Sequence, residues 1–419
     1  MAAAMPAAAT PVAGEAQLRA AFADPSTTSV TLGGDVTLTD CEAGDVQRPL
    51  SAPALTLDGG GFTITQTCAG FRVLADRGAG LTLRNVTVTG GTQAGPTGDE
   101  GLGGGVYEAT GPLTLDHTTI DHNTVAGSGD PQVGIPAAYG GGVYAGGPLV
   151  VMASTVGDNT ASGFGAEAHG GGIDVHGTAR LEGSTLSGNT ARSGNHSGGG
   201  GIASVGDLTL VNSTVSGNSA NGIDSFGGGI EAGRLSLVYS TVAGNGSDEA
   251  GNVSMTNYLS SAFGSVVANP VFVQNNSQCG HALVSLGHNA SPGGTGVPPE
   301  FPADTSCGFT NTAAGDLPPT AALHLGSLAA NGGPTQTILP GGASALIDAI
   351  PLADCQASLA AGITTDQRGV ARPQGSGCDI GAVEVAQTPV TTVPGPSTTI
   401  AAQPAQPAQA VAAQPTFTG

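Results

Sequence analysis

Apolar and polar positions through the middle of this chain follow one phrase, L-x-L-x-x-[ST]-T-[VIL]-x-x-N. It runs from Leu115 to Asn123, Val151 to Asn159, Leu181 to Asn189, Leu210 to Asn218 and Leu237 to Asn245. A looser copy ends at Asn269, and relatives lacking the final Asn begin at Leu57 and Leu83. The period is roughly 28 residues, the signature of a solenoid whose repeats bury their apolar faces on one another. Each repeat holds three short strand-like pieces. The first follows a Gly run (GGGVY at 103–107 and 140–144, GGGID at 170–174, GGGIA at 199–203, GGGIE at 227–231), the second is L-x-L, and the third is the T-[VIL] step. β-branched residues dominate and Gly punctuates every piece, so helical repeats fit poorly. The pattern predicts an all-β fold, a right-handed parallel β-helix of about eight rungs, right-handed being the rule for parallel crossovers.

Equivalent residues of such a fold stack about 4.8 Å apart. Asn123, Asn159, Asn189, Asn218, Asn245 and Asn269 are therefore expected to form a structural ladder in which each amide serves the next. The T-[VIL] residues are expected in inward or shoulder ladders. Segments between each Asn and the next Gly run should emerge as loops along one edge of the rod. Ahead of the repeats, AQLRAAFA carries Leu18 and Phe22 one turn apart and predicts a helix capping the open end. By organisation, residues 1–14 read as a signal-peptide remnant or disordered start, 15–80 as cap and first rung, and 81–270 as the β-helix. Residues 271–386 read as a separate C-terminal region and 387–419 as a Pro/Thr/Ala-rich disordered stalk.

Composition narrows the function classes. The 71 Gly and 27 Pro in 419 residues approach low-complexity levels, but the Gly recur in register, which argues for order. All ten basic residues are Arg, so a lysine base or Schiff base is excluded. A net charge of −21 repels nucleic acid and anionic lipid. No apolar stretch of ~20 residues is present to span a membrane. Six Cys lie outside the repeats as neighbours Cys41/Cys68, Cys279/Cys307 and Cys355/Cys378, none with zinc-site spacing. Three disulfides of an exported protein are expected; of about 15 possible connectivities, nearest-neighbour pairing is preferred. The ending PTFTG shares only Thr418-Gly419 with a sortase signal of the L-P-x-T-G kind. It is read as either a trimmed wall-anchoring signal or a bare stalk tip.

From about residue 270 the text changes to NNSQCGHALVSLGHNA, NGGPTQTILPGGASALIDA and TDQRGVARPQGSGCDIGAVE. These segments resemble the C-terminal region of bacterial surface proteins called choice-of-anchor Q domain proteins. The repeats before them are similar to those of right-handed parallel β-helix repeat proteins and to polymorphic outer-membrane protein repeats. The resemblance covers roughly residues 15–385. It implies an exported β-helix carried on a variable C-terminal anchor, and it transfers neither a substrate nor a catalytic residue.

If the Val or Ile after each Gly run points inward, its successor points outward. That column reads Tyr107, Tyr144, Asp174, Ala203, Glu231. It offers two aromatic faces for sugar stacking, then two carboxylates two rungs apart. Their spacing, about 9.6 Å by rung geometry, is within reach of an inverting glycosidase pair. Tyr107, Tyr144, Asp174 and Glu231 are accordingly the candidate binding residues, and Asp174 and Glu231 the candidate acid and base of a hydrolase. A pectate-lyase-like site lacks its Asp cluster and a basic residue in that column, and polygalacturonase phrases are missing. His117, His122, His169, His176 and His196 show no metal-ligand spacing, so neither metal nor cofactor is expected. His169 and His196 lie just before Gly runs and read as exposed loop residues at the edge of any groove. Arg368 and Arg372 are expected in structural ion pairs with Asp366 or Asp379. The chain thus reads as a secreted or cell-surface monomer, adhesin-like, binding polysaccharide or a host or matrix surface. A polysaccharide-degrading hydrolase or lyase is the second reading and a passive wall spacer the third.

Overall fold

The computed structural model describes residues 11–94, 101–127, 137–268 apart from 164, 166, 249, 257 and 258, then 277–292, 307–309 and 315–386. Asn269 and the whole 387–419 stretch therefore lie outside the described residues. The chain divides into two units, 1–386 and 387–419, and the described residues all belong to the first.

The repeats wind as a parallel β-helix of about eight turns. The T-[VIL] steps form a sheet of nine stacked strands, from Val36–Leu38 to Val266–Ala268, spanning about 38 Å. Register runs residue to residue through Ile120, Val156, Leu186, Val215 and Val242, and all five side chains are fully buried. The Gly-run strands align Val106, Val143, Ile173, Ile202 and Ile230 in the same way. Leu115, Val151, Leu181, Leu210 and Leu237 make the third column. In the central rungs two further short segments join these three at the bases of the edge loops, for example Thr124–Gly127 and Ala138–Tyr139. Backbone held one rung from its neighbour has to pair with it, because buried N–H and C=O groups need partners.

Asn123, Asn159, Asn189, Asn218 and Asn245 form one buried ladder. Each Nδ2 donates to the next Oδ1 at 2.9–3.0 Å. The same Oδ1 accepts the preceding Asn's backbone N–H. The Gly runs are the other half of this device. A Cβ on Gly142 would lie 2.9 Å from the Asn159 amide, and the third glycine of every run faces its Asn in the same way. The first glycine turns the chain: Gly140 has φ +66°, where a side chain is disfavoured. Beyond Asn245 the ladder passes to Asn252 (2.8 Å) and Gln278 (2.6 Å). Asn252 pairs where the third glycine stands one rung earlier, so in this rung the amide comes from the Gly-run strand itself. A hydroxyl ladder, not foreseen from the repeats, runs beside it. Ser154, Ser184, Ser213, Ser240 and Ser265 each accept a backbone N–H from the previous rung at 2.9–3.4 Å.

At the N-terminal end, the helix Glu15–Ala23 buries Leu18 and Phe22, as the cap requires. Inside the first rungs lies an inward column of charge, Arg48, Asp76 and Glu108, all at most 1% exposed. Burial, followed by the hydrogen bond and charge of Asp76, pushes Glu108 up to about 8 against the pull of the Gly111 and Thr110 N–H groups. The three disulfides join Cys41 to Cys68, Cys279 to Cys307 and Cys355 to Cys378, which suits an oxidising, extracellular setting. No helix among the described residues is long and apolar enough to cross a membrane.

The C-terminal region folds back along the T-[VIL] sheet. The Thr185 hydroxyl donates to the Gln336 carbonyl at 2.6 Å. Gln367 bridges Thr185 and Thr214 at 2.8 and 2.6 Å, and the Ala382 N–H reaches Thr241 at 3.0 Å. Arg368 pairs with Asp366 at 2.7 Å, as expected. Arg372 departs from expectation and pairs with Glu384 at 2.6 Å, both side chains fully buried. Its expected partners are already engaged. Asp366 holds Arg368 and the Glu384 N–H, and Asp379 accepts the N–H groups of Asp348 and Val385.

Two stability measurements follow from this packing. Val215→Asp places an unpaired carboxylate in a fully buried ladder, and a Tm loss of about 10 °C or more is expected from its desolvation. An unchanged melt would sink the inward register. Glu108 has a folded pKa above its ordinary value, so the folded state holds the extra proton. Its contribution is complete below about pH 4.5 and fades as pH climbs toward 8. Wild-type Tm should fall by several degrees between pH 5 and 8.5, and Glu108→Gln should remove part of that slope.

Candidate functional site

The outward column after the Gly runs is in register from Tyr107 through Tyr144, Asp174 and Ala203 to Glu231. A second outward column, on the strands just before the runs, reads Leu102, Tyr139, His169, Gly198, Phe226. Between them the glycines carry no Cβ and turn the chain, so the two columns converge over a groove. This cleft encloses about 430 Å³, and its lining includes Tyr139, Tyr144, His169, Asp174, His176 and Glu231.

Glu231 reaches across two rungs, its Oε2 lying 2.8 Å from His169 Nδ1. The intervening rung contributes only Ala203 and Gly198 to this path, and a Cβ on Gly198 would collide with Glu231 Oε2. His176 Nε2 stands 3.2 Å from Asp174 Oδ1, and the Tyr144 ring lies 5.3 Å from that of His176. Asp174, expected as an outward residue, is thereby only 4% exposed. Burial raises its carboxyl above the ordinary range; the His176 hydrogen bond and charge and the charge of His169 oppose this, and Glu231 adds to it. For His169, burial works against the charged ring, but the Glu231 hydrogen bond and charge, helped by Asp174 and Glu167, outweigh it and raise its pKa. A carboxyl biased toward its protonated form and a carboxylate therefore face one space. That arrangement offers hydrogen-bond donors and acceptors to a polyol's hydroxyls.

Three of the four residues singled out from sequence, Tyr144, Asp174 and Glu231, line the cleft. Tyr107 stands one rung away, stacked on Tyr144 at 5.5 Å with the Arg72 guanidinium 4.7 Å from its centroid. His117 and His122 are exposed and sit beside Asp116 and Asp121 at 2.7 and 3.5 Å. His169 departs from its expected exposure: only 15% of its side chain is accessible, with Tyr139 stacked at 5.8 Å and His196 at 5.3 Å. Sequence patterning does not single out Tyr139 or His176. The available signal was the aromatic or imidazole ring that directly precedes several Gly runs (AY, AH and SF before GGG), a second column at the same period. His169, His196 and Glu231 also bring three ligating atoms within 4.8 Å of one another. Spacing rules for metal motifs miss this group because each member comes from a different rung.

Comparison of the chain with protein-family models, curated proteins and solved structures gives no match.

The buried Asp174 carboxyl generates a test of its own. With its folded pKa raised, its contribution to stability is lost as pH rises from the ordinary carboxyl range through the folded value. Asp174→Asn is therefore expected to hold or raise Tm by a few degrees at pH 8, the gap narrowing at pH 5. A fall of more than about 5 °C at pH 8 would assign Asp174 to the framework rather than to the cleft's chemistry.

Proposed function

We propose that this is a secreted or cell-surface β-helix that binds a polysaccharide or matrix glycan in the cleft between its two outward columns. The observation that carries the reading is the convergence of Tyr139, Tyr144, Asp174, His169 and Glu231 on one groove of about 430 Å³. Aromatic rings offer the apolar faces of sugars a stacking surface, and carboxyl and imidazole groups offer the hydroxyls hydrogen bonds. Three disulfides support export, and the motifs at 331–349 and 365–384 support placing the chain with the choice-of-anchor Q surface proteins. In this reading the protein acts as an adhesin-like monomer, and the passive-spacer alternative leaves such a cleft without a purpose.

Hydrolysis is the second reading, favoured by one specific feature. Asp174, with its pKa raised, and Glu231 share the cleft two rungs apart, the acid and base of an inverting pair.

Both readings meet in one experiment. Reducing-end release and pull-down would be measured on the same panel of plant and bacterial polysaccharides, using wild type, Tyr144→Ala and Asp174→Asn/Glu231→Gln. Binding without cleavage, weakened about tenfold in Tyr144→Ala, is the expected result. Cleavage lost in the double variant would assign hydrolysis instead. Failure to bind any glycan would overturn the proposal.

A further inference from the structure

We propose that His169, His196 and Glu231 form a site for one divalent transition-metal ion of the zinc kind, held by two imidazoles and a carboxylate. The proposal goes beyond the glycan reading and does not depend on it. Among the described residues this is the one group of three His, Cys, Asp or Glu whose ligating atoms all lie within 4.8 Å of one another. Its members come from three successive rungs: His169 from the strand Ala168–His169, His196 from His196–Gly198, and Glu231 from Ile230–Val238. Rigid, mutually paired strands place all three, so the group is assembled by the rod itself rather than by mobile loops.

The distances suit an ion. Ligands about 2.1 Å from zinc stand roughly 3.0–3.4 Å apart at octahedral to tetrahedral angles. His169 Nδ1 and Glu231 Oε2 are 2.8 Å apart and the His196 ligating atom lies within 4.8 Å of both, so side-chain adjustment has to bring the three to that spacing. The other nitrogen of His169, Nε2, has the Glu167 carboxylate 3.8 Å away, beyond hydrogen-bond distance in the metal-free chain. The His196 ring is positioned between His169 and Phe226, 5.3 Å from each. Its backbone carbonyl is tied down by the Ser193 hydroxyl at 2.8 Å. Two imidazoles with one carboxylate select zinc, copper or nickel over calcium and magnesium, which prefer all-oxygen sites. Three protein ligands also leave a position for water.

The rung between His169 and Glu231 completes the argument. It presents Gly198 and Ala203 where larger side chains would block the carboxylate, and any Cβ at Gly198 would displace Glu231 Oε2. Gly198 lies outside the positive-φ set, so its backbone tolerates alanine. The colliding atom is the far end of a flexible side chain. Gly198→Ala should therefore push Glu231 away while leaving the fold in place.

The test uses the tag-free full chain in metal-free buffer at pH 7.5, titrated calorimetrically with Zn²⁺ and followed by Co²⁺ absorption, with no sugar present. One ion per chain is expected, weakened at least tenfold in His169→Ala, in Glu231→Gln and in Gly198→Ala. The Gly198→Ala chain should keep its metal-free Tm, and His117→Ala should bind as wild type does. Absence of saturable binding overturns the proposal. So does binding that survives His169→Ala/His196→Ala, which would place the ion elsewhere, or binding unaffected by Gly198→Ala. Because no sugar enters the titration, a negative result leaves the glycan reading standing, and a glycan-panel failure leaves this site standing.

Discussion

From Asn123 onward the turns of this rod depend on a side-chain amide meeting the next amide at a corner where backbone alone cannot satisfy itself. Parallel strands stacked one rung apart pair along their length, but at each corner the chain bends and N–H groups lose their partners. The Asn ladder supplies those partners from inside, each Oδ1 accepting both the preceding Asn's amide and its backbone N–H. Room for it exists only because the facing position is glycine. The Asn and the Gly run are therefore one device read at two places in the repeat. Where Asn252 takes the glycine's place, the amide simply changes strands and the ladder continues to Gln278.

The same glycines shape the outer surface. A corner with no Cβ on its face is a groove, and strands on both sides of it send alternate side chains over the gap. The Gly run that admits the amide inside is also the turn between the two outward columns that border the cleft. Within that cleft the sequence is free to vary, because outward residues are not needed to hold the rungs. Tyr144, Asp174, Ala203 and Glu231 differ rung by rung while Val143, Ile173, Ile202 and Ile230 beneath them stay apolar.

The C-terminal region answers a different need. The T-[VIL] sheet presents threonines that are partly exposed at Thr119 and Thr155 but buried at Thr185, Thr214 and Thr241. The difference is the cover laid over the later rungs by Gln336, Gln367 and Ala382. These residues lie in the two motif-rich segments on which the choice-of-anchor resemblance rests. Their hydrogen-bonding atoms meet the sheet, while Arg372, Glu384 and Tyr239 knit the cover to itself and to the rod. Packing against a regular sheet is one physical reason for such segments to be specific in sequence.

The periodic phrase alone determined the solenoid, its register, the apolar interior and the run of the ladder to Asn245, because stacking converts sequence period directly into spatial adjacency. It also placed Tyr144, Asp174 and Glu231 in one outward column. Tertiary structure decided the rest. Asp174 is buried in the cleft beside His176, a contact between side chains whose rotamers no repeat encodes. Glu231 meets His169 only because the rung between them is small, a relation among three turns rather than within one. Arg372 pairs with Glu384 rather than with Asp366 or Asp379, a partner that only the folded packing brings to the buried guanidinium. Periodicity speaks for positions that every rung shares; what is particular to one rung is settled by which neighbours leave space and which side chains the fold brings into contact.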